Sequence, residues 1–448
     1  MHEKEFRTEE IKGRNGFPVA CGKVFRPERV EDLISLMTCS KETILARGGG
    51  TAYGDSSIND KGMNIDTRRL NKMLHFDEEQ GILHCQGGVS LQDICRVFIS
   101  RGWFLSVTPG TQYATVGGCV ASDAHGKNWE AGSFCNYVKG LHLIFRDGRI
   151  VYCSDENNSD LFYATFGGMG MTGVILDVHL QLRRIGSSVM DVETIHCGDL
   201  KECFDVQTES MESHEYIFCW IDSQKDGKNM GRGILQRANH CANEELTYKE
   251  KRTVQIPFYL PEGAVNAWSV KAFNQCYYSS VRKKKRKAVY LMDFFYPLDS
   301  VANWYRVYGR KGFIEYQVVI PHDRAYETIH ELLKIVTRSK LGSTVAAIKP
   351  LIHVRGTMSF PMDGVTLAVD FMIRNRLWKL LDTLDEIVVA NEGRVYLAKD
   401  ARLRPDNFRK MYSKPLDAWD VIRARYDAGD GFSSMMFSRL RNVHPFNP

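Results

Sequence analysis

The chain has no Cys-x-x-Cys pair among its 12 cysteines, and no uninterrupted apolar run of the roughly 20 residues that a transmembrane helix needs. The missing cysteine pairs remove the usual spacing signal for zinc or iron–sulfur binding. Residues 1–10 are charged and hold no apolar stretch, so they do not read as a secretory signal peptide. There is no internal repeat and no Pro/Ser-rich linker. Excess charge is also lacking: the formal net charge is only +5 over 448 residues, too little to mark a dedicated nucleic-acid binder. The cysteines, all between Cys21 and Cys276, fall in apolar patterns such as those around Cys85 and Cys95. They read as buried free thiols, which implies a reducing, cytoplasmic setting with few or no disulfides.

What is present is a glycine-rich first part. Of the 37 glycines, 23 lie before residue 174, and the chain changes character near residue 185. Residues 44–47 and 82–86 are predicted strands. Between them and Gly102, Leu91, Ile94, Cys95, Phe98 and Ile99 follow helical spacing, with Ser90 as N-cap and Gly102 as the stop. Residues 141–153 are predicted as a hairpin turning at Asp147-Gly148, a type I′ signal. From about 186 to 393 predicted strands (312–320, 364–373) alternate with predicted helices (323–339, 377–390). That pattern suits an antiparallel sheet covered on one face by helices.

One motif misleads. Gly168-Met169-Gly170-Met171-Thr172-Gly173 spells the dinucleotide fingerprint, but that fingerprint works only between a strand and a following helix. Here a helix-like stretch (160–166) precedes it and an alternating, β-branched stretch (174–182) follows. Two other glycine clusters are better placed. Arg47-Gly48-Gly49-Gly50-Thr51-Ala52-Tyr53-Gly54-Asp55 follows a predicted strand, and Thr115-Val116-Gly117-Gly118 follows Thr108-Pro109-Gly110-Thr111. Glycines let successive N–H groups converge on a diphosphate, although each cluster alone would also serve as a tight turn.

Taken in order with Ser122-Asp123-Ala124-His125-Gly126-Lys127-Asn128, these segments resemble the vanillyl-alcohol-oxidase flavoproteins. The likeness extends through Phe294-Phe295-Tyr296-Pro297, Trp304-Tyr305-Arg306, Tyr316-Gln317, Val369-Asp370-Phe371 and Ala398-Lys399-Asp400. It is greatest to the branch that oxidises polyprenyl-phosphoryl ribose. The resemblance implies an α+β, two-domain fold of PCMH type. Residues 1–185 would bind FAD, residues 186–393 would form an antiparallel-sheet substrate domain covered by helices, and residues 394–448 would return to the FAD domain.

It also implies roles for particular residues. Ala46, the Arg47–Asp55 loop, Gly110 and the Thr115–Gly118 loop would cradle the diphosphate. Ser122, Asp123, Ala124, His125, Val174 and Tyr396 would approach the flavin. Tyr53, Lys127, Arg306, Gln317, Lys349, Thr366, Ala368 and Lys399 would line the substrate pocket, with Lys399, His125 and Lys127 taking part in catalysis. The chain departs from the family at several positions. Thr51 stands where many members carry the histidine that links FAD covalently, so the flavin is expected to be non-covalent. Ala368 replaces a cysteine found in some members, and Thr366 a nearby asparagine. Read as a strand, residues 394–399 put Val395, Leu397 and Lys399 on one face, where a lysine is costly unless paired or functional.

The activity implied is oxidation of a secondary sugar hydroxyl, best matched by the 2-position of a polyprenyl-phosphoryl ribose, with a short-chain NADH-dependent reductase consuming the keto product. Two alternatives stand beside it: a soluble alditol or aldonolactone oxidase, and a non-catalytic peripheral membrane protein. The basic run Arg282-Lys283-Lys284-Lys285-Arg286-Lys287 reads either as a solvated loop or as a contact to an anionic membrane.

Overall fold

The computed structural model describes residues 6–242, 245–281, 284–426 and 431–441. Three sheets carry the architecture. A four-stranded sheet and a six-stranded sheet come from strands between Phe6 and Arg184, and an eight-stranded sheet from strands between Val189 and Val395. The expected strands Ile44–Arg47 and Ile82–Gln86 form with those bounds. Helix Leu91–Phe98 is capped by Ser90, whose side chain accepts from the N–H of Asp93. It ends through a short 3-10 turn at Gly102, in the left-handed region.

The third sheet is antiparallel throughout its main path. Three helices, Leu200–Met211, His322–Ser339 and Leu377–Ala390, cover one face. Alternation assigns the two faces of strand Phe313–Pro321. Ile314, Tyr316, Val318 and Ile320 are buried under the helices, which leaves Glu315 and Gln317 on the opposite face. Register then sets their neighbours: Glu315 opposes Asp370 and Gln317 opposes Ala368. Lys349 and Ala347 on the next strand oppose Thr366 and Ala368. The opposite face of this sheet therefore presents a polar row toward the glycine-rich half.

The chain returns at its end. Trp419 Nε1 donates to the carbonyl of Ala164 at 2.8 Å, and Arg439 pairs with Asp55 at 2.9 Å. The polypeptide crosses over slightly later than expected, because Arg394–Val395 still pairs with the third sheet.

Three expectations need correction. The 138–154 hairpin is not closed by a type I′ turn. Gly148 alone has positive φ, and its N–H donates to Phe145, which makes a type I turn followed by a left-handed glycine. The predicted strand 394–399 stops at Val395, and Leu397–Lys399 is a 3-10 turn. The cause is the first glycine loop: the N–H of Tyr53 takes the carbonyl of Ala398, and the chain passes so close that a Cβ on Gly54 would lie 1.9 Å from the carbonyl oxygen of Asp400. Finally, the basic run is no loop. Lys284–Tyr290 is an edge strand of the large sheet, with Arg286 paired to Asp191; Arg282 and Lys283 lie outside the described residues. Charged residues on an edge strand block pairing with other chains, which gives the run a structural purpose.

The letter-perfect Gly-x-Gly-x-x-Gly is flanked as expected from its context, by helix Ser159–Thr165 and then strand Val174–Arg184.

Candidate active site

A cavity of about 680 Å³ opens between the glycine loops and the polar face of the large sheet, within the usual range for cofactor and ligand sites. The first loop forms its floor because strand Ile44–Arg47 ends there in three glycines. A Cβ on Gly48 would lie 2.0 Å from Thr115 Oγ1, and one on Gly49 would lie 2.2 Å from the carbonyl oxygen of Tyr113. Any side chain at either position would drive the two loops apart. The N–H groups from Gly49 to Ala52 donate to no protein acceptor among the described residues. Thr115 caps the short helix Val116–Ala121, accepting from the N–H of Gly118. Unspent donors on a loop whose Gly48 and Gly49 leave no room for a side chain fit a diphosphate, so these residues meet the requirement for FAD.

Arg47 acts differently from a phosphate ligand. Its guanidinium donates to Ser57 and to the carbonyl of Lys12, and burial lowers it to about 10. It staples the loop from inside while still bordering the cavity. Ala46, Thr51, Tyr53, Gly110, Gly117, Ser122, Ala124 and Tyr396 also line the cavity. Tyr396 donates its hydroxyl to the carbonyl of Ser122 at 3.0 Å.

Five residues expected around the cofactor stand behind the wall. Gly54 abuts Asp400, Val116 and Val174 are core residues, and Asp55 is consumed by Arg439. Asp123 is buried, accepts from Ser359 and from the N–H of Cys135, and is raised by burial to about 6. Two expected substrate contacts are displaced as well. Arg306 donates to the carbonyls of Ile256 and Pro257. Thr366 sits behind Gln317, accepting its amide at 3.1 Å and donating to the carbonyl of Val318.

The rest converge. Lys399 Nζ lies 3.1 Å from Glu315 Oε2 and 3.8 Å from the centre of the Tyr53 ring. His125 accepts from Gln317 at 3.0 Å, and burial followed by Lys349 and Lys399 holds its imidazole well below its ordinary value. It is therefore neutral at pH 7. Lys349 donates to the carbonyl of Gly126 at 3.2 Å and is lowered to about 8 by burial and by Lys399. Lys127 donates to the carbonyl of Phe294 and is lowered to about 7 by burial and then Lys349. Three buried or half-buried lysines thus crowd one cavity, an arrangement that favours an anion.

Sequence reasoning missed Glu315 and Asp370. Both oxygens of Asp370 lack a hydrogen-bond partner among the described residues, and burial with Glu315 holds its carboxyl well above the usual range. The signal was available: Glu315 and Gln317 are polar positions two apart in a strand of otherwise apolar and aromatic residues. Farther out the wall is aromatic and apolar, with Phe218, Trp220, Phe273, Tyr277, Trp304 and Val345.

Known proteins give the same picture. A family model described as an FAD binding domain matches residues 22–154. The chain is 30% identical to the decaprenylphosphoryl-beta-D-ribose oxidase of Mycolicibacterium smegmatis over 411 residues, 89% of each chain. It is 29% identical to the L-gulonolactone oxidase of Mus musculus over 193 residues, 43% of each chain. It is 22% identical to the D-arabinono-1,4-lactone oxidase of Candida glabrata over 204 residues, 44% of this chain and 38% of that one. With a glycine cradle suited to FAD and a mycobacterial oxidase matched along most of its length, the chain belongs to the vanillyl-alcohol-oxidase-type FAD oxidoreductases with a PCMH-type FAD-binding domain.

Proposed function

We infer that the protein oxidises a secondary hydroxyl on the sugar of a polyprenyl-phosphoryl pentose, with ribose oxidised at its 2-position as the leading substrate. The observation that carries this reading is the Lys399–Glu315 pair, set in a cavity where Lys127 and Lys349 leave positive charge in surplus. A sugar hydroxyl suits the pair, a phosphate suits the surplus charge, and a polyprenyl chain suits the aromatic outer wall. The match over 89% of each chain to an oxidase named for decaprenylphosphoryl ribose supports the same substrate class. The lactone oxidases match over less than half of the chain.

FAD held by the glycine loops would supply the two-electron redox chemistry. The protein's residues manage the rest. Lys399 Nζ holds the hydroxyl oxygen. As that oxygen loses its proton to Nζ, Nζ passes one of its own to Glu315 Oε2. Asp370, holding its proton, donates to an oxygen of the sugar. Gln317 and neutral His125 set the ring's orientation without adding charge. Tyr53 is no base, since burial and Glu315 push its phenol well above the ordinary value.

The FAD should be non-covalent, because Thr51 offers no linking nitrogen. Acid precipitation of the purified protein is expected to release all of its FAD to the supernatant. Colour left in the pellet would show a covalent link.

Phosphate binding should depend on Lys349. This lysine is charged below about 8, so KM is expected to stay low there and to rise as pH increases beyond it. Lys349→Met should raise KM by roughly 10- to 100-fold at pH 7, the equivalent of about 1.5–3 kcal/mol for a hydrogen bond to a charged group. A wild-type KM in the mutant would place the phosphate elsewhere.

A membrane contact follows from the lipid substrate. Helix Ala267–Ser280 leaves Trp268 exposed and supplies Phe273 and Tyr277 to the cavity wall. Lys285→Gln with Lys287→Gln should weaken binding to anionic vesicles by about 1 kcal/mol for each lysine. Equal binding by wild type and mutant would remove the edge strand from the contact. The keto product would pass to a short-chain NADH-dependent reductase, completing an epimerisation; an oxidised sugar that accumulates unchanged in the presence of such an enzyme and NADH would argue against this partner.

A further inference from the structure

The six-stranded sheet carries a second cluster, none of whose residues lines the cavity. Alternation along its strands buries Leu83, Cys85, Leu141, Leu143, Val178 and Leu180 in the core, which sends His84, His142, Asp177 and His179 to the other face. Register brings these four together from three different strands. His179 lies directly opposite His84, and Asp177 opposite His142. A bulge beside Asp177 re-aims its strand at this point.

The donor atoms converge on one spot. Asp177 Oδ1 lies 3.0 Å from His84 Nε2 and 2.7 Å from His142 Nδ1. The rings of His84 and His179 stack with centroids 4.1 Å apart and planes 10° apart. One ligand atom from each of the four residues falls within 4.8 Å of all the others. Gly140, opposite His179, has no side chain, and the Tyr152 hydroxyl occupies the space its Cβ would fill. The Tyr152 ring therefore closes one side of the cluster, edge-on to His179 at 6.2 Å.

Three imidazoles around a single carboxylate is more nitrogen than a structural hydrogen bond needs. Asp177 Oδ1 is already shared between two rings, and the third ring gains only a stack. We propose that His84, His142, Asp177 and His179 form a binding site for one divalent transition-metal ion of the zinc class, which pins three strands of the FAD-binding half together. Imidazole nitrogen with one carboxylate oxygen suits Zn²⁺ in four-coordinate geometry. The ion takes the position where the two imidazole protons now face Asp177 Oδ1. Each proton moves to the other nitrogen of its own ring, so the ligands stay neutral imidazoles and the carboxylate supplies the charge. His179 tilts out of the stack to supply the fourth ligand.

The test uses the whole flavoprotein, free of any affinity tag and stripped with EDTA, titrated with ZnCl2 alone in a calorimeter. One Zn²⁺ should bind per chain, and the thermal midpoint should rise with Zn²⁺ and fall back on adding EDTA. His142→Gln and Asp177→Asn should each weaken Zn²⁺ binding by about tenfold or more, with flavin content and turnover unchanged. His84→Gln replaces either variant if it fails to retain FAD. Absence of saturable binding, or equal affinity in wild type and variants, would overturn the site and leave the cluster a plain hydrogen-bonded network.

Discussion

Lys399→Ala is expected to keep its FAD and its fold while oxidising the polyprenyl-phosphoryl sugar about 100- to 10,000-fold more slowly, the usual contribution of a positioned acid–base group. In barrier terms that is roughly 3–5 kcal/mol. The side chain is held between the Glu315 carboxylate and the face of Tyr53, in a cavity bounded by the glycine loops. Loss of the ammonium removes the group that grips the hydroxyl and relays its proton. The slow step should be flavin bleaching itself, measured anaerobically at saturating substrate, so the defect appears in the rate and not only in KM. Lys399→Met separates chemistry from packing, since methionine fills similar space without charge. Glu315→Gln should share most of the loss, because the relay then has no acceptor. Wild-type bleaching in both lysine variants would reduce Lys399 to a structural residue.

Arg439→Met is expected to cost about 3–5 kcal/mol of stability, the range for breaking a buried ion pair from one side. The Arg439 guanidinium binds Asp55 at 2.9 and 3.0 Å and Asp400 at 2.8 Å, and all three side chains are buried. It ties the end of the first glycine loop to the segment that carries Lys399. Its removal leaves Asp55 without a cation in the interior and Asp400 with only Arg402, at 4.0 Å. Chemical denaturation should show the loss as a lower midpoint, with FAD released early. Adding Asp55→Asn should recover part of it, since one uncompensated charge is then gone. A stability within 1 kcal/mol of wild type, a threshold of about the usual single-mutant effect, would show that the pair does not bear on this junction.

Much of this was readable from residue order. The glycine loops announced themselves because no other residue allows Gly48 and Gly49 to lie against Thr115 and Tyr113, and periodicity located helices such as Leu377–Ala390 to the residue. The false dinucleotide motif was also recognisable, since what matters is the element on each side of it. Other features depended on contacts between distant segments. Alternation predicted a strand through Lys399, but the Tyr53 N–H captures the Ala398 carbonyl and turns the chain. Asp55 matched a family position, yet its partner Arg439 lies 384 residues away. Glu315 and Asp370 meet only because two strands pair in one register, and no local pattern gives a register between segments so far apart.

Anaerobic mixing tests the substrate assignment directly. Purified flavoprotein is mixed in turn with a polyprenyl-phosphoryl ribose, a free alditol and an aldonolactone, while flavin absorbance is followed. Rapid, saturable bleaching is expected with the polyprenyl-phosphoryl sugar and little with the other two. Bleaching by the alditol or the lactone at equal or greater rate would contradict it, and would make the protein an oxidase of small soluble polyols or lactones.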